Sequence, residues 1–274
     1  MPELDLSSAL QRIADAGPLI NAVTNNVTVN DVANVTLHWG GLPVMSDDER
    51  EVADMIAAAD GCLLNMGTVN EEGESTMITA GEATNEAEAP LVIDPVGVGA
   101  TPTRTRVATR LVEELDVTIL KGNHAEISAL AGAEAEVRGV ESVGEYDEIA
   151  EAALSCARQY DTVVVASGET DVVADPAGAY EITAGDPMMG RVVGTGCMLG
   201  VTLATFAAGV GVDRPLEAAL SGTVAFGIAG ERAAVAGEWN GPASYKIAFL
   251  DAVAGMNEDP PESENDRIEQ VLTS

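Results

Sequence analysis

Pro90-Leu91-Val92-Ile93-Asp94-Pro95-Val96-Gly97-Val98-Gly99 is a short apolar run that stops on an acid and leaves through two glycines. An apolar run of this length, bounded by turn residues, reads as a strand buried on both faces. The same form recurs at 18–23, 61–66, 117–120 and 162–166. Between these runs, 30–39, 48–59, 71–86, 103–115, 125–131 and 146–159 read as helices. Alternation of this kind predicts an α/β fold with a central, mostly parallel sheet and helices on both faces. Residues 172–173 and 179–183 read as a small antiparallel ribbon. From 197 onward the pattern is almost entirely helical, over 197–210, 215–236 and 242–254. There is no internal repeat and no linker long enough to divide the chain. We therefore expect one domain over 1–256 and an acidic C-terminal tail over 257–274, loose at least through 257–265.

The 274 residues are 46% apolar, enough for a substantial core, and carry 45 acidic against 13 basic side chains for a formal charge of −32. Such a balance argues against nucleic acid or an anionic membrane as partner, because like charge repels both. The only lysines are Lys121 and Lys246. Acid spread over every surface segment, with lysine nearly absent, fits the cytoplasm of a salt-accumulating halophile, where self-repulsion is screened within ~3 Å at about 1 M ionic strength. Cys62, Cys156 and Cys197 lack the spacing of a disulfide framework or a zinc site. The start, Met1-Pro2-Glu3-Leu4-Asp5, lacks the basic-then-apolar pattern of a signal peptide. The longest weakly polar stretch, 198–212, falls short of the ~20 residues a membrane span needs. The expectation is a soluble cytoplasmic protein.

In parallel sheets, ligands bind at the carboxyl ends of the strands. Polar turns stand at those ends here: Thr24-Asn25-Asn26-Val27-Thr28, the glycine turn after Asp94, Lys121-Gly122-Asn123-His124-Ala125-Glu126 and Ser167-Gly168-Glu169-Thr170-Asp171. Gly194-Thr195-Gly196-Cys197 opens a helix, and converging N–H groups with the helix dipole make it an anion site. It is neither a GxGxxG fingerprint, since Leu199 takes the third glycine's place, nor a P-loop, since Gly-Lys occurs nowhere. Asn123 and Glu126 lie one turn apart on one helix face. They read either as a helix cap with its capping-box partner or, with Asp94, as organisers of a hydrated Mg2+ ion. Lys121, at a strand end, suits a nucleotide phosphate. His124 and His38 are assigned no role.

Taken together, NAVTNNVTVNDVANVTL (21–37), PVMS (43–46), NMGT (65–68), VIDPVGVGAT (92–101), KGNHAEI (121–127), SGETDVV (167–173) and GTGCMLG (194–200) resemble the hydroxyethylthiazole kinases of the ribokinase-like superfamily. The resemblance runs in order from about residue 8 to 255. It implies a ribokinase-like fold and ATP-dependent phosphorylation of the hydroxyl of 5-(2-hydroxyethyl)-4-methylthiazole, a salvage step towards thiamine. It also implies a homotrimer with active sites at the subunit interfaces. Position by position, Met45, Gly194 and Asn25 fall in the thiazole-binding stretches, and Lys121, Ser167, Asn123, Thr195 and Gly196 in the ATP-binding ones. Asn123 and Glu126 correspond to the magnesium-organising NxxE and Asp94 to a nearby acidic position. Lys121 departs from the arginine common there, which turns a bidentate phosphate contact into a point charge. Ser167 stands where threonine is common.

Most ribokinase-like enzymes carry aspartate after the second glycine, as the base for the substrate hydroxyl. Thiazole kinases, like this chain, have cysteine. Helix N-termini lower thiol pKa values, which would make Cys197 partly thiolate and a catalytic base, whereas nearby phosphates favour the thiol; the alternative reading is a packing or positioning residue. Aspartate there would have favoured the nearest alternatives, a hydroxymethylpyrimidine or pyridoxal kinase.

Overall fold

A computed structural model describes residues 4–132, 137–138, 141–142, 149–237, 239–261 and 265–273. Its centre is a parallel set of strands, β1 (Leu19–Val23), β2 (Leu42–Val44), β3 (Gly61–Asn65), β4 (Leu91–Asp94), β5 (Ile119–Asn123) and β8 (Val163–Ser167). Three antiparallel strands extend it: β9 (Asp171–Asp175), β10 (Gly178–Ile182) and β11 (Ile268–Thr273). The order is β11-β10-β9-β8-β5-β4-β3-β1-β2. A separate ribbon pairs β6 (Val137–Arg138) with β7 (Glu141–Ser142).

Period-two alternation divides the strand side chains between two cores. Ile20, Leu63, Val92, Ile119 and Val163 face α1 (Leu6–Ala16), α2 (Val29–His38), α8 (Thr195–Val210), α9 (Pro215–Val235) and α10 (Pro242–Gly255). Cys62, Leu64, Leu91, Ile93, Leu120 and Val164 face α3 (Val52–Ile56), α4 (Glu71–Glu86), α5 (Pro102–Glu114) and α7 (Ile149–Tyr160). α6 (His124–Leu130) follows β5 directly and buries Ile127 and Leu130 in the second core. α8 is apolar almost all round because α1, α2, α9 and the sheet enclose it. Trp39, fully buried at the end of α2, anchors that side. Its indole N–H donates to Thr202 Oγ1 at 2.8 Å and its ring meets Phe206 edge-on.

The expected strands and most expected helices are present, with boundaries that differ. α3 is only five residues long where 48–59 was expected, and α8 starts at Thr195 rather than 197. Residues 146–148 of the helix expected over 146–159 lie outside the described residues; α7 occupies 149–160. The ribbon at 172–183 belongs to the main sheet, since β9 pairs with β8. α1, β2, β11 and the β6–β7 ribbon were not expected.

β11 corrects the expectation of an acidic tail over 257–274. Ile268 of that strand is buried in the first core, and Arg267 just before it makes a two-pronged ion pair with Glu231 of α9 at 2.7 and 2.8 Å. Asn265 accepts from Leu4 N at 3.0 Å, tying the two ends of the described chain together. The strand has an inward and an outward face, so substitutions on the two should diverge. Ile268→Ala is expected to lower the unfolding free energy by about 2–4 kcal/mol, the usual loss for a buried aliphatic. Glu269→Ala, at an exposed position, should change it by less than about 0.5 kcal/mol. Urea titration of both variants checks this; equal, negligible effects would mean a loose tail.

Candidate active site

The carboxyl ends of β1, β3, β4, β5 and β8 bring their turns to one edge of the sheet, and α8 points its N-terminus at the same edge. At its centre lies a buried ion pair. Lys121 on β5 is 3% exposed and its Nζ donates to Asp94 Oδ1, at the end of β4, at 3.3 Å. Asn65, ending β3 in register with Asp94, donates its Nδ2 to the other carboxylate oxygen at 2.7 Å. Burial pushes Asp94 up to about 6 despite the pull of Lys121. Lys121 is desolvated too, yet the charges of Asp94, Glu126 and Cys197 outweigh that and hold it above its ordinary value. With a donor on each carboxylate oxygen, the pair is ionic at neutral pH.

The glycine turn closes over this pair. Gly194 has φ +94°, in the left-handed region, and a Cβ there would come within 2.6 Å of Thr28 Cγ2. Only glycine combines that backbone with that approach. A Cβ on Gly196 would meet Lys121 Nζ at 3.0 Å, so the ammonium lies directly under the turn. First-turn N–H groups of a helix have no intrahelical partner. Gly196 and Cys197 therefore offer theirs at a point backed by the Lys121 charge, which is what a phosphate needs in a chain of charge −32. The Thr195 hydroxyl is turned away, donating to the Met189 and Val192 carbonyls at 2.9 and 2.8 Å. Any contact of Thr195 with a ligand thus falls to its backbone.

Asn123 and Glu126 form the capping box in full. Asn123 Oδ1 accepts from Glu126 N at 2.9 Å, and Glu126 Oε2 from Asn123 N at 2.7 Å. The remaining oxygen, Oε1, accepts from Gly97 N at 2.7 Å, so Glu126 also fixes the glycine turn after β4. The Arg104 guanidinium, from α5, holds the neighbouring turns by donating to the Met66, Val96 and Gly67 carbonyls at 2.6–3.0 Å. Ser167, level with Asn123 on the next strand, donates to Gly122 O at 3.3 Å. Among the described residues no three His, Cys, Asp or Glu side chains form a metal cage. Asp94, whose carboxyl the nearby Glu126 charge helps to raise, and Glu126 suit a Mg2+ ion that takes most of its oxygens from phosphate and water.

Cys197, on the first turn of α8, faces Asn25. Asn25 Nδ2 lies 3.5 Å from Cys197 Sγ, 2.9 Å from Asn65 Oδ1 and 2.9 Å from Thr28 Oγ1, while Asn25 Oδ1 accepts from Val27 N and Thr28 N. The expected lowering of the thiol pKa is not what these surroundings produce. Burial, and then the Asp94 charge, push Cys197 up, against the opposing influence of Lys121, Thr28 and Asn65. Met45 stands just beyond β2 at the outer edge of the sheet and packs against the first core. Lys246, the second lysine, pairs with Asp31 at 2.6 Å and ties α10 to α2 beside Gly194. His124 contacts Thr170 O at 2.9 Å. Sequence reasoning missed Asn65 and Arg104. The signal for Asn65 was a lone amide ending an otherwise apolar strand; for Arg104 there was none.

Residues 10–259 match the model of the hydroxyethylthiazole kinase family. The hydroxyethylthiazole kinase of Natronomonas pharaonis is 72% identical over 270 residues, covering 98% of this chain and 97% of that one. The kinase of the same name from Haloquadratum walsbyi is 58% identical over 252 residues, 91% of this chain and 87% of its own. The solved hydroxyethylthiazole kinase of Pyrococcus horikoshii superposes with a TM-score of 0.86 at 35% identity, covering 97% of this chain and 98% of that one. A ribokinase-like superfamily protein of Enterococcus faecalis, at 11% identity and a TM-score of 0.57, shares the fold alone. The chain has the ribokinase-like fold and belongs to the hydroxyethylthiazole kinase family.

Proposed function

We propose that this protein transfers the γ-phosphoryl group of ATP to the hydroxyl of 5-(2-hydroxyethyl)-4-methylthiazole, a salvage step towards thiamine. The observation that carries the reading is a cysteine, not a carboxylate, on the first turn of α8, beside the buried Lys121–Asp94 pair. Lys121, with the N–H groups of Gly196 and Cys197, receives the transferring phosphate, and Thr195, Ser167 and Asn123 flank the nucleotide. Gly194, Asn25 and Met45 receive the thiazole alcohol. Asp94 and Glu126 hold a hydrated Mg2+ ion, which when bound neutralises phosphate charge. Phosphoryl transfer passes through a loose transition state, so positioning and charge neutralisation dominate. Cys197, as its thiolate, accepts the hydroxyl proton late and becomes the thiol; surroundings that raise its pKa make that thiolate the stronger base.

The chain works as one kinase domain in a homotrimer whose subunits complete one another's sites. Val27 and Val193, 73% and 74% exposed, flank the contact between Thr28 and Gly194 and support this. Met45, on the outermost parallel strand, is placed to serve such a junction. No helix among the described residues is long and apolar enough to cross a membrane. With the acidic surface, this fits a cytoplasmic enzyme of a salt-accumulating cell.

ADP release in concentrated salt, compared for the thiazole alcohol, hydroxymethylpyrimidine and pyridoxal, tests the substrate. The thiazole alcohol should give the highest kcat/KM, and a clear preference for either rival would overturn the assignment. Cys197→Ala should lower kcat by about 10²–10⁴-fold, as removal of a general base does, with ATP affinity intact by calorimetry. In the native enzyme kcat should climb through pH 9, because deprotonated Cys197 is the active form and its environment raises its pKa; Cys197→Ser should flatten that climb. Lys121→Ala should weaken ATP binding and also cost about 3–5 kcal/mol in urea unfolding, because it strands Asp94 as a buried, unpaired acid.

A further inference from the structure

The polar side chains behind the glycine turn form one continuous path, Cys197–Asn25–Asn65–Asp94–Lys121. Its links measure 3.5, 2.9, 2.7 and 3.3 Å. Asn25, Asn65, Asp94 and Lys121 are all buried. The chemistry of the groups fixes its direction. The carboxylate of Asp94 only accepts, so Asn65 must turn its NH2 towards it. The Asn65 carbonyl oxygen then faces Asn25 and can only accept, which turns the Asn25 NH2 towards Asn65, with its hydrogens shared among Asn65 Oδ1, Thr28 Oγ1 and Cys197 Sγ. The Asn25 oxygen is left for the Val27 and Thr28 N–H groups, where it is found. Reversing either amide would set oxygen against oxygen or N–H against N–H in a dry interior.

From this we infer that Asn65 is a positioning residue for the phosphoryl transfer, acting through Asn25 to keep an N–H donor on Cys197 Sγ. This rests on the role proposed above for Cys197. With a donor behind it, the sulfur presents its remaining acceptor capacity to the incoming hydroxyl. The surroundings hold Asn65 in place. Its oxygen also accepts from Gly67 N at 3.0 Å, and Arg104 grips the Gly67 carbonyl. A Cβ on Gly67 would lie 2.7 Å from Asn25 Nδ2, so the turn after β3 is packed hard against the amide that Asn65 orients.

A merely structural asparagine at a strand end would affect stability alone. The positioning role predicts more. Asn65→Leu, which keeps the volume and removes all three side-chain hydrogen bonds, should lower kcat about ten-fold or more while the KM for ATP stays within about two-fold. In a Cys197→Ala background the same change should cost no further kcat beyond about two-fold, because the two residues act through one contact. The rate of iodoacetamide labelling of Cys197, read by mass spectrometry on ligand-free protein, should change about three-fold or more. Cys62 and Cys156 are buried and give a low background. Asn65→Ala, which removes the amide without adding bulk, should reproduce all three results if the leucine variant folds poorly. A kcat loss that persists in full without Cys197, or unchanged labelling, overturns the inference. Labelling needs no substrate, so it still judges Asn65 if the chain proves to phosphorylate a different alcohol.

Discussion

A single buried ion pair organises the catalytic edge of this molecule. Lys121 and Asp94 are taken out of water together, and neither is tolerable there alone. Their presence constrains everything around them. Asn65 must point its amide N–H inward, Gly196 must lack a side chain above the ammonium, and β4 must end beside Lys121, two residues before β5 does. The pair also resolves a difficulty posed by the composition. A chain with 45 acids repels nucleotides at long range, so the attraction must be local and fixed. One lysine sealed beneath a helix N-terminus, where salt screens it poorly, is such a local and fixed positive charge.

The parts of the fold legible in the sequence were those under the strictest constraint. β3, β4, β5 and β8 are covered on both faces, so the residues ahead of their polar carboxyl ends had to be apolar and the runs stood out. β2 did not: three residues, one a proline, on the edge of the sheet and partly exposed. β11 was hidden because Ile268 is its one fully buried residue and acids and prolines precede it. α1 was there to be read, with Leu6, Ala9, Leu10 and Ile13 at helical spacing and Gly17 as its left-handed cap.

The site divides in the same way. Residues in glycine turns and loaded strand ends were visible as types: Asp94, Lys121, Asn123, Glu126, Gly194, Gly196 and Cys197 do gather at one edge. What they do to each other was not visible. Thr195 was read as facing a ligand, but its hydroxyl closes the preceding 3-10 turn. Glu126 was weighed as cap or metal ligand, and it is the cap while keeping a carboxylate near Asp94. Cys197 was given the pKa of a helix start, which ignored its burial and a neighbouring carboxylate. Each of these depends on distances across strands far apart in sequence, and no local pattern encodes them.

The seam between Leu4 and Asn265 gives the chain a timetable as well as a shape. The strand at 268–273 is translated after every other strand, yet it covers the open edge of β10 and sends Ile268 into the core beneath α9. During synthesis the parallel strands and their helices are complete while β10 still exposes a row of unpaired backbone groups. A nascent chain in that state is adhesive, and a ribosome that stalls shortly before the end releases a sheet with a free edge. The dense negative charge that keeps the finished protein dispersed then has an earlier task, holding unfinished copies apart until their last strand arrives.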